Sequence, residues 1–144
     1  MMTINLAGGP KEYAEFRIGD RKAELYFNDE LNLKIANTRL SVGKRLDELD
    51  DQKKMKALDK KSVSDQRDYL DGLYKGLREE LTGFFDEQFG EGAGAELYKL
   101  TNKSTERMSA AFFMVVKEYD ELRAARDRYI SDLYKPKSRK TKKK

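Results

Sequence analysis

The sequence predicts a small, mainly α-helical protein with a β-hairpin near its N-terminus. Its two prolines, Pro10 and Pro136, lie near the ends of the 144-residue chain and leave the interval between them free for regular structure. Residues 13–27 alternate apolar with charged side chains around a Gly-Asp pair, which is the pattern of a hairpin. Beyond residue 28, apolar residues recur at spacings of three and four, the period of amphipathic helices. We therefore expect a hairpin followed by about three main helices in a small bundle.

The hairpin is predicted from two short alternating runs. Phe16 and Ile18 precede the turn, and Ala23, Leu25 and Phe27 follow it. An isolated hairpin is only marginally stable in water. We therefore expect its large apolar side chains to pack against a helix or against another chain.

The first predicted helix begins at Asn28-Asp29, because either side chain can accept hydrogen bonds from a helix N-terminus. Its apolar positions share one face and are Leu31, Ile35, Val42, Leu46 and Leu49. Residues 37–43 are rich in Asn, Thr, Ser and Gly, whose low helix propensity predicts a kink or an early break. Residues 50–61 are nearly all polar, and we interpret them as either a solvated helix end or a mobile linker.

The second predicted helix is capped by Ser62 or Ser64. Its apolar face recurs at steps of three and four and consists of Leu70, Leu73, Leu77, Leu81 and Phe84. The glycine-rich run at 90–94 ends this helix, and residues 95–100 form a short helical turn. The run lacks the spacing and the preceding strand of a phosphate-binding loop, so a helix end is favoured over a nucleotide site.

The last predicted helix carries the longest apolar pattern. It is capped within residues 102–105 and ends at Lys135, because proline disfavours helix at the residue before it. Its seam is interrupted once, by Arg126, and consists of Met108, Phe112, Val115, Tyr119, Leu122, Arg126, Tyr129 and Leu133. Such a seam most often packs internally, but its aromatic side chains are also favoured at interfaces. The candidate partner-binding residues are Phe112, Val115, Tyr119, Leu122, Tyr129, Leu133 and Tyr134.

Charge divides the chain into a body and a tail. The chain has 30 Lys and Arg against 26 Asp and Glu, a formal net charge of +4. Residues 135–144 contain no acid and seven basic residues, which are Lys135, Lys137, Arg139, Lys140, Lys142, Lys143 and Lys144. Removing these seven leaves 23 basic against 26 acidic residues, so residues 1–134 carry −3. We expect a flexible lead-in at 1–12, one domain at 13–134 and a disordered basic tail at 135–144.

The basic tail is a candidate phosphate contact, with the salt dependence that such contacts have. A lysine run without interleaved aromatic residues is more often a solubilising or interaction tail, so we do not expect nucleic acid as the main partner. We also expect no membrane association. Residues 1–9 lack the features of a signal peptide, and the uncharged run at 108–116 is too short to span a bilayer.

Composition excludes most catalytic chemistry. The chain has no His and no Cys, so it has no histidine base, thiol nucleophile, disulfide or ordinary zinc site. Ser41 and Lys44 match the Ser-x-x-Lys spacing of some acyl-enzymes, but the supporting motifs of those enzymes are missing. The carboxylates at 47–51 lack the spacing of a calcium loop. We therefore expect a protein that is not an enzyme and that uses no metal or cofactor.

Segment 84–98 reads FFDEQFGEGAGAELY, a helix that ends in bulky residues, then Gly-Glu-Gly, then a short Glu-Leu-Tyr turn. Together with the hairpin at 16–27 and the amphipathic last helix with its basic end, this layout resembles the tail assembly chaperones of siphophages and Gram-positive prophages. The resemblance implies a helper protein in the cytoplasm of a bacterial host. Such proteins bind the tape measure protein, keep it soluble and help to recruit tail-tube protein.

Two other functions remain open at this point. One is a self-assembling helical structural or scaffold protein of a phage, which forms a homo-oligomer through the seam of the last helix. The other is a protein that associates non-specifically with nucleic acid through residues 135–144.

Overall fold

The computed structural model describes residues 1–55 and 63–135, which form one two-stranded antiparallel sheet and four helices. The elements in chain order are β1 (Tyr13–Ile18), β2 (Arg21–Tyr26), α1 (Asp29–Met55), α2 (Val63–Phe89), α3 (Ala93–Leu100) and α4 (Thr105–Tyr134). The predicted fold class, mainly helical with an N-terminal hairpin, is confirmed.

The hairpin turns its apolar side chains towards the helices. β1 and β2 pair around a turn at Gly19, whose φ of 58° is a conformation that glycine adopts at little cost. Ile18, Leu25 and Phe27 are buried in the same core as the helices, and Phe16 is half-buried against it. Of the two predicted alternatives, the hairpin therefore packs on the helices of its own chain.

α1 is continuous through the segment that predicted a kink or a break. Asn28 caps it, since its Oδ1 accepts a hydrogen bond at 3.0 Å from the backbone N–H three residues on. Ile35 and Val42 are fully buried and Thr38 is nearly so. Packing of this face outweighs the low helix propensity of residues 37–43, so the expected early break was wrong.

The polar stretch after α1 falls partly outside the described residues. α1 extends to Met55, so the first part of the stretch is a helix end, and residues 56–62 lie outside the described ranges. α2 begins at Val63, which places Ser64 within the helix. The other predicted cap, Ser62, also lies outside the described residues.

α1 and α2 run antiparallel, and ion pairs mark their register. Lys34 Nζ lies 3.0 Å from Glu87 Oε1 near the start of α1. Further along α1, Arg45 Nε donates a hydrogen bond to Glu80 Oε1 at 2.9 Å. The partner's number falls as the α1 residue's number rises, which fixes the antiparallel direction.

The glycine-rich run joins α2 to α3 and lets the two helices approach closely. Gly90 and Gly92 have φ angles of 106° and 89°, which end α2 and begin α3. The N–H of Gly94 donates to Asp86 Oδ1 at 2.8 Å. A Cβ atom at Gly94 would lie 2.7 Å from the Cα of Thr82, so only glycine fits this contact unchanged. The run thus ends α2, as the sequence predicted, whereas α3 begins at Ala93 rather than at residue 95 and packs closely on α2, which the sequence did not predict.

α4 runs in the same direction as α2 and completes the core. Ser104 caps it, because its Oγ accepts a hydrogen bond from the N–H of Arg107 at 3.1 Å. The helix ends at Tyr134, with Lys135 as its C-cap, which matches the predicted end. The fully buried large side chains of α2 and α4 are Leu77, Leu81, Phe84, Phe85, Met108 and Phe112.

Candidate partner-binding surface

The first part of the predicted α4 seam belongs to the protein core. Phe112, Val115 and Tyr119 are all buried, and Leu122 is half-buried against the same cluster. The three buried side chains offer no surface to a partner in this fold. In this fold they pack internally, because α2 and α1 lie against that stretch of the helix and Phe27, which follows β2, contacts Tyr119.

Tyr119 shows how the core ends along α4. Its ring lies 6.1 Å from the ring of Phe27, measured between centroids. Its hydroxyl accepts a hydrogen bond from Arg123 Nη1 at 3.3 Å, and the Arg123 guanidinium also lies over the ring. The apolar body of this tyrosine therefore faces the core while its polar tip is paired at the edge.

The second part of the seam is exposed. Every residue at 127–134 is exposed except Ser131, which is half-buried, and we call this stretch the α4 extension. The exposed fractions of its large side chains are 40 % for Tyr129, 47 % for Ile130, 71 % for Leu133 and 68 % for Tyr134. Ile130 and Leu133 follow Tyr119 on the same helix face. The face that builds the core thus continues beyond it at Ile130 and Leu133, both of which are exposed.

Three of the predicted partner residues therefore remain accessible, namely Tyr129, Leu133 and Tyr134. Ile130 was not among them, although it occupies the same face. Ile130 lies four residues after Arg126, and this spacing is the sequence signal that places it on the face of the seam. The accessible surface is consequently aliphatic as well as aromatic.

Arg126 lies on α4 between the part of the seam that packs in the core and the exposed extension. Its side chain is only 26 % exposed, with Nη2 at 3.2 Å from Asp127 Oδ1 and Nη1 at 3.6 Å from Glu12 Oε1. The charge that interrupts the apolar seam is thus paired on two sides. This pairing holds the end of the lead-in against α4 at the base of the extension.

The lead-in adds further apolar surface at this end of the molecule. A Cβ atom at Gly9 would lie 2.9 Å from the ring of Tyr129, so the two residues are in close contact. The exposed large side chains of the lead-in are Met1, Met2, Ile4 and Leu6. Sequence reasoning missed them, and four apolar residues among the first six were the available signal.

The extension lies in the positively charged part of the chain. Residues 123–144 contain ten basic and two acidic residues, a net charge of +8, whereas residues 1–122 contain 20 basic and 24 acidic residues, a net charge of −4. Lys135 is exposed at the end of α4. The other candidate phosphate contacts lie outside the described residues and are Lys137, Arg139, Lys140, Lys142, Lys143 and Lys144.

Exposed apolar side chains elsewhere are more dispersed. Leu33 and Leu40 lie on α1, seven residues apart and away from its buried face, and Met114 lies on α4. Leu33 also lines an open groove of about 580 Å³ between β2 and the start of α1. The groove is lined largely by charged and polar side chains, among them Glu24 and Lys34, so it offers less apolar surface than the extension.

The structure assigns no catalytic arrangement to the Ser41-x-x-Lys44 motif. Ser41 Oγ donates to Glu80 Oε1 at 2.7 Å, the same oxygen that Arg45 contacts, so this serine belongs to the α1–α2 junction. Lys44 is exposed. The acidic residues at 47–51 are also exposed, and within residues 1–55 and 63–135 no group of three or more His, Cys, Asp or Glu is arranged to hold a metal ion.

None of the helices in the described part of the chain combines the length and the apolar content needed to cross a bilayer. Comparisons of the chain with protein-family models, curated proteins and solved structures found no match. The α4 extension and the layout of segment 84–98 are therefore the observations on which a function can be based.

Proposed function

We propose that this chain is a tail assembly chaperone of a siphophage or prophage, which acts in the cytoplasm of a bacterial host. In this role it binds the tape measure protein, keeps it soluble during tail assembly and helps to recruit the tail-tube protein. The observation that carries the proposal is the exposed α4 extension. The layout of segment 84–98 supports it independently.

The extension has the chemistry needed to cover an apolar stripe on a long helical client. Helices are recognised through apolar anchors spaced three and four residues apart. Tyr129, Ile130, Leu133 and Tyr134 follow that spacing, and two of them are tyrosines, which combine a large apolar ring with a polar tip. A client held in this way has less apolar surface exposed to water, which keeps it soluble.

The surface is also held in place before a client arrives. The first turns of α4 are anchored in the core by Phe112 and Val115, and the extension continues the same helix. A preformed helix loses less conformational entropy on binding than a segment that must fold at that moment. The function requires binding alone, so no catalytic group or cofactor is part of the proposal.

Co-expression tests this function. The chain is produced together with the long helical protein encoded by the neighbouring tape measure gene. We expect a soluble complex that co-purifies, and less complex with Ile130→Ser/Leu133→Ser. Leu33→Ser/Leu40→Ser is the matched control, because it removes two exposed apolar side chains from α1 instead. If the wild-type chain gives neither a complex nor better solubility of the client, the proposal is wrong.

A second candidate is a self-assembling structural protein of a phage, because the same exposed face can pair with another copy. The mass by light scattering over a range of concentrations decides this, since one chain has 16.7 kDa. Leu133→Asp is the variant to use, because Leu133 is 71 % exposed and its replacement by a charged residue does not disturb the core. A single-chain mass at all concentrations excludes the second candidate.

A further inference from the structure

The outer edge of β2 is a second surface, and its charges have a defined order. We propose that this edge binds an extended segment of a partner protein, which adds to the hairpin as a third, antiparallel strand. On its solvent face the segment carries an apolar residue, then Lys or Arg, then Asp or Glu, with one residue between each. The inference goes beyond the proposed function, because it involves neither the α4 extension nor its client.

The backbone of β2 has hydrogen-bonding groups that β1 does not use. The N–H of Phe27 donates to the carbonyl of Glu12 at 2.7 Å, and this pair sets the alternation along the ladder. In an antiparallel pair, every second residue turns its N–H and C=O away from the partner strand. On β2 these residues are Lys22, Glu24 and Tyr26. Within residues 1–55 and 63–135, the Tyr26 carbonyl alone among these groups accepts a hydrogen bond, from the N–H of Asn28 at 2.8 Å.

The open groove beside β2 gives a third strand room. Its volume of about 580 Å³ lies in the range of pockets that hold ligands. Glu24 and Tyr26 from the solvent face of the hairpin and Leu25 from its inner face all line the groove, so it follows the edge of the strand. The start of α1 and the end of α2 form the rest of the lining. A segment placed there can therefore pair with the free groups of β2.

The solvent face of the hairpin places like charges directly opposite each other. Glu15 lies opposite Glu24, and Arg17 lies opposite Lys22. All four side chains are exposed, and none of them forms an ion pair in the described part of the chain. Like charges in such positions destabilise a sheet. The stability of the hairpin therefore does not explain this arrangement, whereas recognition of a further strand does.

The order of these side chains specifies the partner. The rings of Tyr13 and Tyr26 lie beside each other, with centroids 5.2 Å apart. A third strand that runs antiparallel to β2 meets Tyr26 first, then Glu24 and then Lys22. Aromatic or β-branched residues pair well with an aromatic side chain, and opposite charges pair favourably across strands. Tyr or Val, then a basic residue, then an acidic residue therefore complement this edge.

A second copy of the chain fits this edge less well. Two β2 strands paired about Glu24 place the two Glu24 carboxylates opposite each other, which is unfavourable. The register that pairs Lys22 with Glu24 instead brings Tyr26 opposite Asp20. Asp20 lies in the turn of the hairpin, so β2 of the second copy does not continue along the groove. A longer extended segment uses the edge more fully.

An NMR titration of the isotope-labelled full chain with two peptides of identical composition tests the inference. The first peptide is Ser-Tyr-Val-Lys-Val-Glu-Ser, and in the second Lys and Glu are exchanged. We expect the first to bind roughly fivefold more tightly at low salt, because only it places opposite charges beside both β2 residues. It should shift the amides of Lys22, Glu24 and Tyr26, and shift those of Glu15 and Arg17 on the outer edge of β1 less.

Two charge exchanges assign the preference to β2. Lys22→Glu/Glu24→Lys should reverse the preference between the two peptides. It also places opposite charges across from Arg17 and Glu15, so the hairpin should stay folded. Glu15→Lys/Arg17→Glu is the matched control, because it makes the same exchange on β1 and should keep the original preference. Circular dichroism confirms that both variants are folded.

Methylation of the peptide backbone tests strand pairing itself. In the proposed register the N–H of the peptide's Lys faces β2, and the N–H of the Val after it points away. N-methylation of that Lys should abolish binding, whereas N-methylation of that Val should leave the peptide bound. Equal effects of the two methylations would show that the peptide does not pair as a strand.

Other results would also overturn the inference. These are the absence of shifts with either peptide, equal affinities for the two, and shifts confined to β1. If the free chain has twice its single-chain mass of 16.7 kDa and Glu24→Lys restores the single-chain mass, a second copy occupies the edge instead of a partner. Ile130→Ser/Leu133→Ser should bind both peptides as the wild-type chain does, so failure here is distinct from failure of the proposed function.

Discussion

The ring of Phe112 stands edge-on to the ring of Phe84, with centroids 5.0 Å apart and ring planes at 88°. Both side chains are buried at the centre of the core, so this contact attaches α4 to α2. Leu133 occupies the same face of the same helix, yet it is 71 % exposed. One apolar pattern therefore builds the core over its first part and a surface over its second.

Because the seam is divided in this way, replacing one of its large side chains by alanine should change the free energy of unfolding by very different amounts in the two parts. Phe112→Ala should lower the free energy of unfolding by about 3–5 kcal/mol, because it leaves a cavity in the core. Leu133→Ala should change it by less than about 0.5 kcal/mol, because the side chain is largely solvated. Urea denaturation followed by circular dichroism measures both. Similar losses in the two variants would show that the extension is packed in the free protein.

The contact between α3 and α2 predicts opposite effects for two glycines. Gly94→Ala should destabilise the fold by about 1–3 kcal/mol, since its Cβ atom would lie 2.7 Å from the Cα of Thr82. Gly83→Ala is the matched control, because a Cβ atom there meets nothing within 4 Å. It should stabilise the fold by about 0.5–1 kcal/mol through higher helix propensity. A tolerated alanine at 94 would mean that α3 does not pack this closely on α2.

Arg21 joins the hairpin to α2 and α3 through two partly exposed hydrogen bonds. Arg21 Nε donates to Glu96 Oε1 at 3.1 Å, and its Nη1 donates to the carbonyl of Phe89 at 3.4 Å. A double-mutant cycle with Arg21→Ala and Glu96→Ala should give a coupling of about 0.5 kcal/mol, because water screens a pair that is about one-third exposed. Additive single effects would show that the two side chains do not interact in solution.

Tyr26 provides a prediction about pH. Its hydroxyl donates to Glu24 Oε1 at 2.7 Å, and this hydrogen bond and the Glu24 charge raise the pKa of Tyr26 above its ordinary value of 10.0. The contact therefore favours the folded state below about pH 10, and its contribution disappears as the pH rises through the folded-state pKa. In Glu24→Gln the pKa of Tyr26 should fall towards its ordinary value, as followed by NMR of the ring.

Glu30→Gln is the control for that titration, because Glu30 lines the same groove but does not act on the Tyr26 hydroxyl. It should leave the pKa of Tyr26 where it is in the wild-type chain. A pKa that stays high in Glu24→Gln would contradict the assigned cause.

Local signals explain why much of the fold was predictable. The caps at Asn28 and Ser104 and the proline at 136 act within a few residues, so they fix helix ends directly. The alternation around Gly19 likewise specifies a hairpin. The continuity of α1 was not predictable from propensity, because it depends on Ile35 and Val42 being buried by other elements.

The division of the α4 seam was unpredictable for a related reason. Periodicity shows which side chains share a face, but it contains no information about which element covers that face. Phe27 covers the helix at Tyr119, and this contact depends on how the hairpin packs. The contact between Gly9 and Tyr129 joins the two ends of the chain, and no local pattern reports it.

The central claim is that the seam of α4 is core up to Leu122 and a partner surface over residues 127–134. Amide hydrogen exchange of the full chain, alone and in complex with its helical client, tests this most directly. We expect residues 108–119 to be strongly protected in the free chain, and residues 127–134, whose helix is more exposed to solvent, to exchange faster than 108–119 and to gain protection when the client binds. Unchanged exchange at 127–134 in a saturated complex, or new protection confined to α1, would contradict the account.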